Sequence, residues 1–291
     1  MLTVTHMADP GCPWAYSALP AITALRWRYG SQLEWRITTI GLTETTEQYE
    51  RRGYTPARMA QTPLRFARFG MPYVLGPRER VLSTGRACRA VVAARERGGQ
   101  EDAYAALRAL SIAWFTTDLL LDQDDHIEQA LDEGHVRDPS GVVSAIADPA
   151  VEEAYQRDRA EARSAAGSPS ALQRRTAQAD GPERYTAPTL FFDRGDTRLE
   201  AGGHQPLGAY DVLVANLAPE LELRGPAEEP LSVLERFPDG LTTREVATVL
   251  AGHDEVADDA AVTAALLELV GSGHVTRVAL GTNAVWRAAT A

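Results

Sequence analysis

A β-α-β opening, a helix-period stretch from about residue 55 to 166 and a return of strand signals at Thr189 predict an α/β fold interrupted by an all-helical insert. A further helix-helix-helix-strand-strand order after residue 230 adds a small C-terminal winged-helix-like domain. Leu2 and Val4 alternate with Thr3 and Thr5 in a first strand, Leu2 to Met7, and Asp9-Pro10-Gly11 reads as the turn that ends it. A helix follows over Pro13 to Tyr29 and stops at Gly30, with Pro20 expected to kink it. Leu33, Trp35 and Ile37 then alternate with polar neighbours in a second strand, Leu33 to Ile40.

The insert reads as helices over Pro56 to Phe69, Ser83 to Arg97, Gln100 to Phe115 and His126 to Glu133, with helical character resuming from Pro149 to about Ala166. Ser168 to Arg184 is polar and arginine-bearing, and reads as a mobile, lid-like segment. Strand signals return at Thr189 to Phe192 and Thr197 to Ala201 across the hairpin turn Asp193-Arg194-Gly195-Asp196, and a helix from about Pro206 to Leu217 closes the unit. The expected domains are 1–54 with 185–224, an insert over 55–184, and a linker with the C-terminal unit over 225–291.

Composition narrows the function classes. The 291 residues carry a net charge of -11, which argues against broad binding to nucleic acid or anionic membrane and favours small molecules or proteins as partners. All 29 basic residues are arginine, so lysine Schiff-base chemistry and a P-loop lysine are excluded. This arginine and alanine usage suggests a GC-rich genome of actinobacterial type. No 18-residue apolar run or signal core occurs, and two cysteines fit a reducing compartment, so a cytoplasmic protein is expected. The six histidines have no metal-ligand spacing, and no metal is expected. In residues 231–291, four arginines face eight acidic residues and the candidate recognition helix has no basic side chain, so a protein partner or homodimer is expected there instead of DNA.

Cys12 is the candidate nucleophile. It lies between a strand-ending turn and a helix whose first position suits Pro13, so its sulfur would face unpaired backbone N–H groups at the positive end of the dipole. Helix starts are among the places where a cysteine pKa falls below about 8.5, although Asp9 nearby would oppose this. Cys88 sits on a helix among Ala87, Val91 and Val92 and reads as a core residue; whether it can approach Cys12 is not fixed by spacing. Trp14 reads equally as packing or ligand contact, and His6 and His204 as packing or surface residues.

Four segments in order resemble the DsbA-like branch of the thioredoxin superfamily, in which a helical domain interrupts a thioredoxin fold. Cys12-Pro13-Trp14-Ala15 resembles its C-P-W-C motif with the second cysteine replaced, and Thr186-Ala187-Pro188-Thr189-Leu190-Phe191-Phe192 resembles its cis-proline strand. Val81 to Ala87 resembles the start of the helical insert, and Gly202-Gly203-His204-Gln205-Pro206 the turn before the last helix. The style is similar to FrnE-like proteins and mycothiol-dependent reductases, with 2-hydroxychromene-2-carboxylate isomerase and kappa-class glutathione transferase as cousins that carry serine at the Cys12 position. The resemblance implies a catalytic Cys12 with Pro13, Trp14 and Ala15 as its motif. It also implies a small-thiol site at Ala187, Pro188 and Thr189, with Gly203, His204 and Gln205 beyond them.

With Ala15 in place of a resolving cysteine, no internal C-x-x-C disulfide forms, and the expected activity is monothiol: thiol-disulfide exchange or thiol transfer with a low-molecular-weight thiol, mycothiol or glutathione, as cosubstrate and no tightly bound cofactor. The expected small-molecule partner is a thiol or an electrophile, and two alternatives stay open: a thiol-dependent isomerase or transferase of the kappa-class type in which Cys12 only polarises a cofactor thiol, and a non-catalytic redox-sensing interaction protein.

Overall fold

The computed structural model describes the chain except for residues 75, 179–180, 253–254, 282 and 290–291. Strand β1 (Leu2–Ala8) leads into helix α1 (Pro13–Tyr29), and β2 (Leu33–Thr39) lies parallel to β1, setting Val4 opposite Trp35 and His6 opposite Ile37. Three short helices follow, α2 (Thr46–Glu50), α3 (Pro56–Met59) and α4 (Thr62–Phe66). The helical body is α5 (Gly85–Gly98), α6 (Gln100–Thr116), α7 (Asp124–Glu133), α8 (Pro139–Ala145) and α9 (Pro149–Ala162). After α10 (Pro169–Leu172), two-residue strands β3 (Thr176–Ala177) and β4 (Arg184–Tyr185) pair with each other. Strands β5 (Thr189–Arg194) and β6 (Thr197–Gly202) and helix α11 (Leu207–Leu217) complete the first unit.

The main sheet has the order β2-β1-β5-β6, with β5 antiparallel to β1 and β6 antiparallel to β5. Helices α5, α6 and α9 pack on β2, while α11 packs on β5 and β6. The central strands β1 and β5 are therefore covered and read as apolar runs, Phe191 and Phe192 being fully buried.

Three expectations change. The helix expected over Pro56 to Phe69 is divided into α3, α4 and a 3-10 turn at Ala67–Phe69, because Pro63 removes a backbone donor where a continuous helix needs one. The insert expected to be all-helical contains the β3–β4 pair, in which Thr176 faces Tyr185. The lid-like segment is tied down, apart from residues 179–180, which lie outside the described residues: Ser170 donates from its backbone N (2.9 Å) and hydroxyl (2.6 Å) to Glu200 of β6.

The C-terminal segment forms α12 (Pro230–Arg236), β7 (Leu241–Thr242), α13 (Thr243–Leu250), α14 (Asp259–Gly271), β8 (Val275–Leu280) and β9 (Asn283–Ala288), with a sheet of order β7-β9-β8. Its apolar core of Val233, Leu234, Val246, Leu266 and Trp286 also takes in Ala24 and Trp27 of α1. At the centre of this contact Glu245, fully buried, accepts from Thr23 Oγ1 of α1 (2.8 Å) and Arg108 Nη2 of α6 (2.8 Å). The same carboxylate closes the capping box of α13 by accepting from the backbone N of Thr242 (2.9 Å). Among the described residues no helix is long and apolar enough to cross a membrane, and no His/Cys/Asp/Glu group could hold a metal ion.

His6 makes β1 acid-sensitive. Burial, helped by the Arg26 charge, lowers its pKa to about 3 from 6.5, and neither ring nitrogen has a partner among the described residues. The unfolded chain takes up this proton below about pH 6.5 while the folded chain does not, so the histidine's contribution is complete above 6.5 and is lost as pH falls towards 3. The expected loss by pH 4 is a few kcal/mol. His6→Leu should flatten that part of the stability curve in urea titrations at pH 7 and pH 4; an unchanged pH slope would contradict the assignment.

Candidate active site

The turn Asp9-Pro10-Gly11-Cys12 delivers the thiol to the start of α1. Asp9 organises it: its Oδ1 accepts from Gly11 N (2.9 Å), and its Oδ2 accepts from Leu42 N (2.8 Å), the Thr84 hydroxyl (2.9 Å) and the Cys88 thiol (3.4 Å). This buried carboxyl thereby joins β1, the β2 exit and α5 beneath the cysteine. Gly11 is required by close approach, since a Cβ there would lie 2.6 Å from Thr84 Cγ2 and 2.9 Å from Trp114 Cζ2.

Cys12 is the N-cap of α1, with Pro13 in the first helical position, and only 6% of its surface is exposed. Its Sγ–H donates to the carbonyl of Ala187 at 3.3 Å. The Ala187–Pro188 peptide is cis. Burial pushes the thiol up to about 11 from 9.0; the backbone N–H groups of Ala15 and Trp14 and the Arg184 guanidinium pull it down, while Asp9 pushes it further up. The balance that the sequence left open between the helix start and Asp9 thus falls on the raised side, because desolvation outweighs the N–H groups. Cys88 is fully buried, and burial with the adjacent Asp9 raises its pKa well above the ordinary value. Both cysteines are free.

Cys12 opens into a cavity of about 890 Å³ whose lining includes Trp14, Tyr49, Phe66, Thr186 and Ala187. Helices α3 and α4 supply Arg58 and Arg65 to its wall, and β4 supplies Arg184. Of the residues expected from sequence, Cys12, Pro13, Trp14 and Ala187 meet in this cavity; Ala15 is buried one position further along α1. Thr189 is fully buried, donating to Thr186 O (2.7 Å). Gly203, His204 and Gln205 lie outside the lining: Gln205 donates to Gly202 O (2.8 Å), and the His204 ring lies tilted against Trp14 (5.9 Å) and Phe69 (4.6 Å) with its pKa lowered by burial. Residues that sequence reasoning missed are Asp9 as an organiser and the arginines of the wall; Asp9 has a visible signal, an acid two residues before a glycine turn.

A thiol with this pKa reacts through a minor thiolate fraction. Alkylation of Cys12 by iodoacetamide should therefore accelerate about tenfold per pH unit from pH 7 to 10 with no plateau, and Cys88 should label more slowly throughout. Stopped-flow or mass-resolved labelling checks this, and a plateau near pH 7 would contradict it.

The DSBA-like thioredoxin domain model matches residues 3–180. Among curated proteins no sequence matches. Solved structures share the fold: a protein assigned as a disulfide isomerase from Nitrosomonas europaea has 16% identity and a TM-score of 0.56, covering 74% of this chain and 96% of its own. The cytosolic disulfide reductase DsbM from Pseudomonas aeruginosa has 19% identity and a TM-score of 0.52, covering 74% of this chain and 100% of its own. A protein assigned as a DsbA oxidoreductase from Streptomyces coelicolor has 20% identity and a TM-score of 0.52, covering 78% and 93%. With the family model spanning more than half of the chain, and a cysteine at the start of α1 against the Ala187 carbonyl, this protein belongs to the DSBA-like thioredoxin domain family.

Proposed function

We propose that the protein is a cytoplasmic monothiol oxidoreductase that exchanges Cys12 with a low-molecular-weight thiol or its disulfide. One observation carries the reading: Cys12 stands alone at the cavity, with Ala15 in the position of a second motif cysteine and the Cys88 thiol turned to Asp9. In the first step the Cys12 thiolate attacks one sulfur of a disulfide RSSR; a Cys12–SR bond forms, the S–S bond of RSSR breaks, and RS⁻ leaves and takes up the proton that Cys12 lost. In the second step a thiolate R′S⁻ attacks the sulfur of the bound SR group, RSSR′ leaves, and Cys12 returns as thiolate and regains a proton. Oxidation and reduction balance between the two small thiols, with glutathione and mycothiol as the candidate cosubstrates.

Ala187 O, which accepts from Cys12 before reaction, is released when the thiol ionises, and the Ala15 and Trp14 N–H groups then hold the anion. Pro188 and Thr189 set the position of Ala187, and we assign the turn at Gly203 to Gln205, through His204 against Trp14, a supporting place beside the bound thiol. We read the C-terminal segment as a winged-helix-like domain that serves as an interaction surface, for a protein partner or a second copy through residues 231–291.

Initial-rate kinetics test the exchange. A double-displacement pattern is expected, with parallel lines in double-reciprocal plots against the disulfide at several thiol concentrations; intersecting lines would contradict a covalent Cys12 intermediate. A second reading draws on the raised pKa: a neutral Cys12 thiol donates a hydrogen bond and could hold a cofactor's thiolate in an isomerase or transferase. There a hydroxyl would substitute for the thiol, and Cys12→Ser would keep most of its activity.

A further inference from the structure

The wall of the Cys12 cavity carries a charge opposite to that of the protein. The chain has a net charge of -11, yet Arg52, Arg58, Arg65, Arg68 and Arg184 all line this cavity and, among the described residues, no Asp or Glu does. Elsewhere some arginines pair with acids, Arg86 with Asp124 (2.5 Å) and Arg137 with Asp102 (2.5 Å), while exposed Arg51, Arg236 and Arg277 have no ion pair among the described residues; the cavity differs in gathering five such arginines on one wall. None of the five cavity arginines has a carboxylate within ion-pair distance among the described residues. Arg58, Arg65 and Arg68 instead rest over the rings of Tyr54, Trp14 and Phe69 at 4.7, 5.2 and 4.9 Å. Stacking of this kind steadies a guanidinium and leaves its in-plane N–H groups available to an anion, although Arg58 already gives one N–H to Gly53 O (3.1 Å). Arg184 gives one N–H to Tyr185 O (2.9 Å), and its Nε is buried with no partner among the described residues. A buried unpaired N–H beside a reactive thiol is a position that a ligand oxygen would satisfy.

Resting on the thiol-exchange reading for its chemistry, we infer that this cavity selects thiols or disulfides that carry two or more phosphate or carboxylate groups and no cationic group. Five guanidinium groups provide forked donors for such oxygens, and the field they share raises the local concentration of polyanions. An α-ammonium, as in glutathione, meets no acid among the described residues of the lining, and an uncharged sugar thiol such as mycothiol makes no use of the arginines. The lining thus ranks ligands as polyanion first, zwitterion second and neutral or cationic last. The covalent step is the exchange already given: Cys12–SR forms, the ligand's S–S bond breaks, and the departing thiolate takes the proton.

The test measures second-order rates of Cys12 modification in the full chain by four disulfides: coenzyme A disulfide (phosphates), the disulfide of mercaptosuccinate (carboxylates), glutathione disulfide (zwitterionic) and hydroxyethyl disulfide (neutral). At least one of the first two should exceed hydroxyethyl disulfide by about tenfold or more after correction for intrinsic disulfide reactivity, and exceed glutathione disulfide as well; which of the two leads separates phosphate from carboxylate recognition. The advantage should shrink at high salt. The exposed pair Arg65→Glu and Arg68→Glu should remove it, read as the ratio of the polyanion rate to the hydroxyethyl disulfide rate within the same variant. If that variant does not fold, Arg52→Gln with Arg58→Gln makes the same comparison. Equal rates for all four, or glutathione disulfide ahead of both polyanions, would overturn the inference while leaving exchange at Cys12 standing. Binding of coenzyme A to the Cys12→Ser protein, followed by tryptophan fluorescence, separates the two readings. Binding without modification of the wild type by any disulfide would keep the anion site and defeat the exchange reading; no binding would overturn the anion site.

Discussion

Cys12→Ser is expected to lose thiol-disulfide exchange by roughly 10³-fold or more, to the rate of the uncatalysed reaction. A serine hydroxyl in the same buried position cannot reach a useful anion population near neutral pH, and its oxygen forms no disulfide. The fold should be unaffected, because oxygen can keep the hydrogen bond to the Ala187 carbonyl that the thiol donates at 3.3 Å. Cys88→Ser is the matched control: it retains a donor for Asp9 and sits in the core, so its exchange rate should stay within about threefold of wild type. A Cys88 variant as inactive as the Cys12 variant would mean that the two thiols act together, which the monothiol reading forbids.

The second large effect lies far from the thiol. Glu245→Ala should destabilise the protein by about 3–5 kcal/mol, because Arg108, itself buried, is left as an uncompensated charge and Thr23 and the Thr242 backbone N lose their acceptor. The damage has two parts: loss of the capping box frays the start of α13, and loss of the Arg108 and Thr23 bonds loosens that helix from α6 and α1. Equilibrium urea unfolding measures the first-order cost. The double variant Arg108→Met, Glu245→Leu should recover a good part of it by replacing the ion pair with packed hydrocarbon. A change below about 1 kcal/mol in Glu245→Ala would contradict the role assigned to this contact.

The sheet and its helices were legible because each had a local signal. Leu2 and Val4 alternate, Pro13 starts α1, Gly30 ends it, and the Thr186-Ala187-Pro188 segment announces β5. The position of Cys12 at a helix start was equally plain, but its titration was not. A sequence displays the N–H groups that favour a thiolate; it does not display the Leu42, Tyr49 and Phe66 environment that dehydrates it, and here dehydration wins. The arginine wall was hidden for a related reason. Arg58, Arg65 and Arg68 sit in a stretch that reads as one helix over Pro56 to Phe69, Arg52 lies before it, and Arg184 is in a stretch that reads as a lid; the breaks at α3 and α4 and the β3–β4 pairing bring them to one cavity. Glu245 counted as one more surface acid of an acidic tail until its partners, Thr23 and Arg108, came from elements more than a hundred residues away.

The most direct test of the account is intact-mass spectrometry with peptide mapping of the wild-type protein after brief exposure to a small disulfide at about pH 8. One half-disulfide adduct per chain is expected, located on the peptide containing Cys12, reversed by a small thiol and absent from Cys12→Ser. An adduct on Cys88, an internal Cys12–Cys88 disulfide, or no adduct at all even after prolonged exposure at pH 10 would contradict a solitary Cys12 nucleophile.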